Sequence, residues 1–578
     1  MTSSSTPAPH QRPLAETGVI IKQEKGLTRV ALVYPSTYRT GMSNLGFQRV
    51  YHLINQEPST VCERVFLPDP GHKAPDDVLS CETRQALNRF DVIFFSISFE
   101  NDFIHLVRLL KKAGIPTRSS DRNHLHPLVA AGGVACFLNP EPIAPFMDFF
   151  LLGEAECLVT DFFGLFRRHR RRTDLMAVLE SNLPGAYVPG RHPPFSSSKI
   201  PVQFVKTLDE IQTHTCVLTS DTAFKDKFLV EILKGCPHGC RFCTAGFIYR
   251  PPRICPKDTV FKAIDKARGK TRKIGLVSSA ILDHPDIADI CQYGTQHGFS
   301  LSFSSLRADK LNDAMIDLLS RSGVKTATIA PEAGSERMRR IINKKMTQSD
   351  IFHAVEKLVA KNILNLRLYF MIGLPFETDD DIQAIVNLTK DIKERFLTVS
   401  RKQKRMGTIT LSINAFIPKP ATPFQWAALT NEKILKRRVD LIRQGLKKTP
   451  NVVLHTPSLK TAKISALLSL GDRKTADVIE SACEHGWAYA LRLHADHCHQ
   501  IIYTEKSVPD LSGESAADPL PALPWSFLNS GISEQFLAKE WHRAARETQS
   551  PACPMVRCSQ CRVCRESPDT PGEKPTIS

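Results

Sequence analysis

No stretch of this 578-residue sequence stays apolar for the ~18 residues that a membrane-spanning helix needs, so a spanning segment is not expected. The opening residues, MTSSSTPAPHQRPLAETG, carry no apolar core of the kind a secretory signal has, so export is not expected either. The chain also lacks the low hydrophobicity of a wholly disordered protein: 42% of its residues are hydrophobic and 23% charged. No short internal repeat is evident beyond β/α units, and no known nucleic-acid-binding module can be recognised. A cytoplasmic, reducing setting is expected, and in it disulfides are disfavoured.

Two things are present in excess. Lys and Arg number 76 against 59 Asp and Glu, a net charge of +17, and there are 16 cysteines. At roughly 150 residues per domain, the length predicts three or four domains. Nine cysteines are scattered: Cys62, Cys81, Cys136, Cys157, Cys216, Cys255, Cys291, Cys483 and Cys498. These read as small buried hydrophobes. Seven are clustered, as Cys236-x3-Cys240-x2-Cys243 and as Cys553-x4-Cys558-x2-Cys561-x2-Cys564. Thiolate is a soft ligand suited to iron–sulfur clusters and zinc, and such short spacings let one loop aim its sulfurs at one centre.

Residues 1–27 read as a loose polar tail. From residue 28, short apolar runs such as TRVALVYP, DVIFFSISF and HPLVAAGG alternate with helical periods such as LGFQRVYHLINQ and NDFIHLVRLLKKAG. This is the pattern of βαβ units in a parallel sheet, so 28–182 is expected to be a doubly wound, Rossmann-like domain. The Pro-, Gly- and Ser-rich stretch within 183–222 reads as a linker. A second array follows in 223–445, with expected strands KFLVEILKG, KIGLVSS, SLSFSSL, KTATIAPE, LNLRLYFMIG and TITLSINAF. Six β/α repeats predict a partial TIM-type (β/α)6 barrel. Residues 446–578 are expected to be a helical and irregular region ending in the second cysteine cluster. The overall fold class is α/β.

A predicted strand runs straight into the first cluster, LVEILKGCPHGCRFC, and strand C-terminal ends are where a β/α barrel places chemistry. Three thiolates cannot saturate a four-iron cube, so one iron stays open, which is a catalytic arrangement. A zinc site completed by His238 is the competing reading. With aromatic Phe242 before the last cysteine, the motif resembles that of the radical SAM superfamily. The resemblance implies a [4Fe–4S] cluster on Cys236, Cys240 and Cys243, whose open iron binds S-adenosylmethionine (SAM). One electron, from a donor such as flavodoxin or ferredoxin, then yields a 5′-deoxyadenosyl radical. The family's small-residue strand end that meets the methionine amino group falls on Ser278 and Ser279, without its usual acidic residue. Pro331-Glu332-Ala333-Gly334-Ser335 resembles a ribose- and methionine-binding segment, with Glu332 either a SAM contact or a helix N-terminal carboxylate. Gly373 and Pro375 resemble the strand end that shapes the floor near adenine. Arg307 pairs either with the SAM carboxylate or with a structural acid.

Residues 28–182 resemble the cobalamin (B12)-binding-like domain fused to many radical SAM enzymes. The likeness rests on Ser96-Ile97-Ser98, Gly132-Gly133 and Gly153-Glu154-Ala155-Glu156. It implies that Ser96, Ser98, Gly132 and Gly133 border a cobalamin crevice. The Asp-x-His-x-x-Gly motif that supplies a cobalt ligand in some relatives is absent; YPSTYRTGMSNLGFQ stands there. Either cobalamin binds without a histidine or the fold persists without it. Across its length the chain resembles an uncharacterised radical SAM subfamily with this layout and a C-terminal cysteine cluster.

The tail cysteines Cys553, Cys558, Cys561 and Cys564 could hold zinc or a second iron–sulfur cluster. HADHCH, 494–499, reads as a surface or core segment in preference to a metal site. The basic runs RRHRRR (167–172), RKQKR (401–405) and KILKRRVDLIRQGLKK could meet phosphate backbones, although such runs are more often solvated faces. The expected function is therefore that of a radical SAM enzyme, a methyltransferase if cobalamin binds and otherwise one of hydrogen abstraction, sulfur insertion (as in a methylthiotransferase) or rearrangement, with the substrate unknown and RNA and small molecules both open. The alternative is a metal-stabilised, non-enzymatic RNA-binding protein.

Overall fold

A computed structural model describes residues 15–23, 25–68, 78–303, 306–509, 519–555 and 558–564. The first sheet contains β1 (Thr28–Thr37), β2 (Thr60–Leu67), β3 (Val92–Ser96), β4 (Leu128–Gly132), β5 (Phe149–Leu151) and β6 (Ala186–Tyr187), in the order β2-β1-β3-β4-β5-β6. All pairs are parallel except β5 with β6. The strands are buried on both faces, which is why they read as unbroken apolar runs. Strand order reverses between β1 and β3, so a crevice opens beyond their carboxyl ends.

The second array contains β7 (Phe228–Glu231), β8 (Lys273–Val277), β9 (Ser300–Phe303), β10 (Thr326–Glu332), β11 (Asn365–Ile372), β12 (Ile409–Ala415) and β13 (Val452–His455). They pair in parallel as β7-β8-β9 and β10-β11-β12-β13, and a parallel bridge from Leu306 to Ile329 joins the two sets. The expected six strands are there, with a seventh, β13, beyond residue 445. β13 is four residues long and only half buried, so no apolar run announces it. The helices between strands, including Gln348–Ala360 and Asp379–Lys402, pack on one face of the array. That face takes Ala327, Ile329, Leu366, Leu368, Phe370, Ile372, Leu411 and Ile413 into the core.

Two expectations need correction. Helices Leu459–Leu470 and Thr475–His485 do not form a separate C-terminal body; they pack into the core of the first sheet. Asn139 Nδ2 donates to the carbonyls of Ser469 (3.0 Å) and Gly471 (2.8 Å), and Arg473 pairs with Glu141 at 3.1 Å. The polar N-terminal stretch also contributes structure from Glu16 onward, while residues 1–14 lie outside the described residues. Glu16 accepts from buried Arg64 at 2.7 Å, opposite Glu82 at 2.6 Å. A buried guanidinium needs such counter-charges, whatever the local composition. Among the described residues no helix is long and apolar enough to cross a membrane.

Candidate active site

Cys236, Cys240 and Cys243 sit on the loop that follows β7. Gly235 starts the loop at φ +89°, where a Cβ would lie 2.7 Å from the Tyr249 carbonyl, so the chain can turn there only without a side chain. The loop is held from behind. Arg241, fully buried, donates to the carbonyls of Ile341 (2.6 Å) and Thr548 (2.7 Å) and pairs with Glu540 at 3.1 Å. Asn343 Nδ2 donates to the Gly239 carbonyl at 3.0 Å. Burial pushes the Cys236 thiol up to about 12 and the Cys243 thiol up to about 11, and the charge of Cys240 adds to both. The three sulfurs are thus close enough to repel one another as thiolates. Arg307 brings positive charge to Cys236, and Lys344 to Cys243. Soft, mutually repelling donors with cationic support fit a cluster that carries positive iron.

His238 does not complete a zinc site with these cysteines; its Nε2 contacts Asp283 Oδ2 at 2.8 Å. Burial pushes the Asp283 carboxyl up, but the His238 contact and Lys310 outweigh it and hold it below its usual range. Among the described residues no three His, Cys, Asp or Glu side chains are gathered as a single metal ion would gather them.

The other expected SAM contacts surround this loop. Arg307 forks onto Asp309 (3.1 and 3.0 Å) and donates to the Lys344 carbonyl at 2.9 Å, so the ion-pair reading holds while its charge still reaches Cys240 and Cys236. Glu332 ends β10 at φ +67° and lies 3.5 Å from Lys344. Burial pushes its carboxyl up, against the pull of Lys344 and Arg307. It does not cap the next helix, Glu336–Ile341; Ser335 does, accepting from the Met338 N–H at 3.0 Å. Ser278 is buried at the end of β8 and accepts from the Ala280 N–H at 3.0 Å, while Ser279 is exposed. The Gly373 N–H donates to Glu377 at 2.6 Å, and Pro375 beside it is half buried.

The face of β10–β12 opposite the helices is polar and partly open: Thr328, Arg367, Tyr369, Thr410, Ser412 and Asn414. Arg367 pairs in register with Thr410, and Tyr369 with Ser412. Sequence reasoning passed over these residues, although the alternation in NLRL, at the start of β11, carries part of the signal.

In the first sheet, Ser96, Ser98, Gly132 and Gly133 all line a cavity of about 310 Å³ at the crevice. Asn44 Nδ2 donates to Ser98 Oγ at 2.9 Å. Gly133, at φ +101°, is required by its own backbone, since a Cβ would lie 2.5 Å from the Ile97 carbonyl. The Gly153–Glu156 segment joins the two arrays. Glu154 takes both arms of Arg253 (2.7 and 2.9 Å), and Lys234, two residues before Cys236, lies 3.7 Å from Glu154.

The four tail cysteines line one small cavity together with Gly239 and Asn343 of the region holding the first cluster loop. The HADHCH residues part company: His494 contacts Ser481, His497 contacts Asp472, and Cys498 is buried. Parts of the basic runs serve the fold, as in Arg172–Asp148 (2.5 Å) and Arg438–Glu377 (2.6 Å).

Residues 230–389 match the family model of the Radical SAM superfamily, and the match runs from β7 through the cysteine loop and β11 into the helix Asp379–Lys402. The chain belongs to the radical SAM superfamily. Residues 46–189 match a second model, Radical SAM proteins, N-terminal. Membership makes this an enzyme of the radical SAM class and implies a [4Fe–4S] cluster, SAM and a reductant. This radical SAM chain is 29% identical to the uncharacterized protein MJ0966 of Methanocaldococcus jannaschii over 458 residues, 79% of the chain and 91% of that protein. It is 23% identical to the ribosomal protein uS12 methylthiotransferase RimO of Thermodesulfovibrio yellowstonii over 211 residues, 33% of the chain and 48% of that protein. Among solved structures, the cobalamin-bound methyltransferase TsrM of Kitasatospora setae is 11% identical, with a TM-score of 0.45, over 82% of this chain and 99% of that one.

Proposed function

We propose that Cys236, Cys240 and Cys243 hold the catalytic cluster of this radical SAM enzyme, and that the substrate lies against the open polar face of β10–β12. The observation that carries the reading is that one short loop, turned at Gly235 after β7 and held from behind by Arg241 and Asn343, carries all three sulfurs. A [4Fe–4S] cluster there, with SAM on its open iron, supplies a 5′-deoxyadenosyl radical for abstraction of hydrogen from substrate. The protein does the rest. Arg307 and Lys344 offset the charge of the thiolates. Glu332, held by Lys344, presents a carboxylate for the ribose hydroxyls or the methionine amino group. Ser278 and Ser279 border the methionine end, and Gly373 and Pro375 the adenine end. The strands extend the expected boundaries: the crevice-bearing sheet runs past 182 to β6 at 186–187, inside the expected linker, and the radical array past 445 to β13 at 452–455. A role confined to RNA binding leaves the cysteine loop and the polar strand face without a purpose. Anaerobic reconstitution, reduction and SAM addition, followed by assay for 5′-deoxyadenosine, test the reading. Cys240→Ala is expected to abolish the product.

A second reading adds cobalamin, and with it methyl transfer. The crevice cavity favours it, because its apolar depth (Leu32, Phe94, Phe162) and polar rim (Asn44, Ser96, Ser98) suit an amphiphilic ligand. Among the described residues no histidine lines the cavity, so cobalt would receive no imidazole from them. Corrinoid absorbance retained by protein purified after cobalamin supplementation would support this reading, and protein that stays colourless in that region contradicts it.

A further inference from the structure

The tail cysteines come from the far end of the chain, yet they are built into the support of the first cysteine loop. The Cys553 N–H donates to the carbonyl of Pro237, the residue after Cys236, at 2.7 Å. Asn343 bridges the two segments, donating to the Gly239 carbonyl (3.0 Å) and accepting from the Ser550 N–H (3.0 Å). Glu540, on the helix Glu534–Ala545, accepts from Ser550 Oγ at 2.7 Å and pairs with Arg241. The Ser533 N–H at the start of that helix donates to the Cys561 carbonyl at 3.2 Å, and Cys561 is 5% exposed. The Gln560 N–H reaches the sulfur of Cys558 at 3.4 Å. Amide-to-sulfur contacts of this kind support thiolates in iron–sulfur sites.

We propose that Cys553, Cys558, Cys561 and Cys564 hold a second iron–sulfur cluster, seated against the loop of Cys236, Cys240 and Cys243, and that its ligation fixes the shape of that loop. The spacing selects a cluster over zinc. Cys558-x2-Cys561-x2-Cys564 is the three-cysteine run of bacterial ferredoxins, whereas zinc sites take separated pairs. Only the effect on the loop rests on the first three cysteines being cluster ligands.

The full chain, reconstituted anaerobically with iron and sulfide, is compared with a Cys558→Ser/Cys561→Ser variant and a Cys236→Ser/Cys240→Ser/Cys243→Ser variant. Iron, sulfide and zinc are counted, and the reduced proteins are examined by electron paramagnetic resonance with and without SAM. The expected counts are about eight irons in the parent and about four in each variant. The signal left in the triple variant should ignore SAM, and the signal left in the tail variant should shift with it. In the parent both signals are expected, so the result does not depend on either variant folding well. Deoxyadenosine formation by the tail variant is expected to fall about tenfold with its first cluster loaded, by analogy with lost support around a metal site. Zinc at the tail, or about four irons in the parent, overturns the second cluster. Undiminished turnover in the tail variant overturns its effect on the loop. A tail variant with no SAM-responsive signal, beside a triple variant that keeps its iron, refutes the proposed catalytic site and leaves the tail cluster standing.

Discussion

At the scale of single residues, the cysteine loop is defined as much by its supports as by its sulfurs. Glu332, Lys344 and Arg307 form a charged arc beside Cys236 and Cys240. Glu332→Gln keeps the shape and removes the charge. It is expected to weaken SAM binding about tenfold, the scale of one charge-assisted hydrogen bond, as measured by titrating the SAM-dependent change in the cluster's resonance. Asp102 offers a pH test away from the site. Burial, and then the charge of Glu100, push its carboxyl up to about 7. An acid raised in the folded state favours folding most below its unfolded value. That contribution is lost as pH rises through about 7. Asp102→Asn should therefore flatten the fall in thermal midpoint between about pH 5 and pH 8, and should raise the midpoint at the upper end. An unchanged profile would refute the assignment.

At the scale of elements, legibility followed burial. Strands buried on both faces, such as β1 and β3, and amphipathic helices such as Phe103–Lys112 announce themselves through apolar runs and period. β13, half exposed and four residues long, does not. The cysteine motif was legible because its chemistry is local to one loop. The clamp of Glu154 with Arg253 was not, because its partners lie about a hundred residues apart and meet only in the fold. Both side chains are buried, so Arg253→Ala leaves Glu154 with only Lys234, at 3.7 Å, as counter-charge and is expected to cost about 3 kcal/mol in denaturant unfolding. The polar face of β10–β12 gives a second element-scale test. Tyr369→Phe and Arg367→Ala should leave SAM cleavage intact while uncoupling it from substrate, so that 5′-deoxyadenosine forms without a matching loss of substrate. Equal loss of both activities would instead place these residues in SAM binding or folding.

At the scale of the molecule, the chain is folded back on itself. Helices from beyond residue 458 complete the core of the first sheet, and the tail cysteines return to the loop after β7. This closure was hidden from the sequence, since the C-terminal region reads by composition as a separate helical appendage. The net charge of +17 also looks different in the fold. Several arginines of the basic runs are committed to partners such as Asp148 and Glu377, so the total overstates the charge offered to a partner.

The central claim is that the loop of Cys236, Cys240 and Cys243 generates a radical from SAM. The most direct measurement is the yield of 5′-deoxyadenosine from anaerobically reconstituted, reduced protein given SAM. The account predicts product from the parent chain and none from Cys240→Ala. Absence of product from a parent chain with a fully loaded, reducible cluster would contradict it.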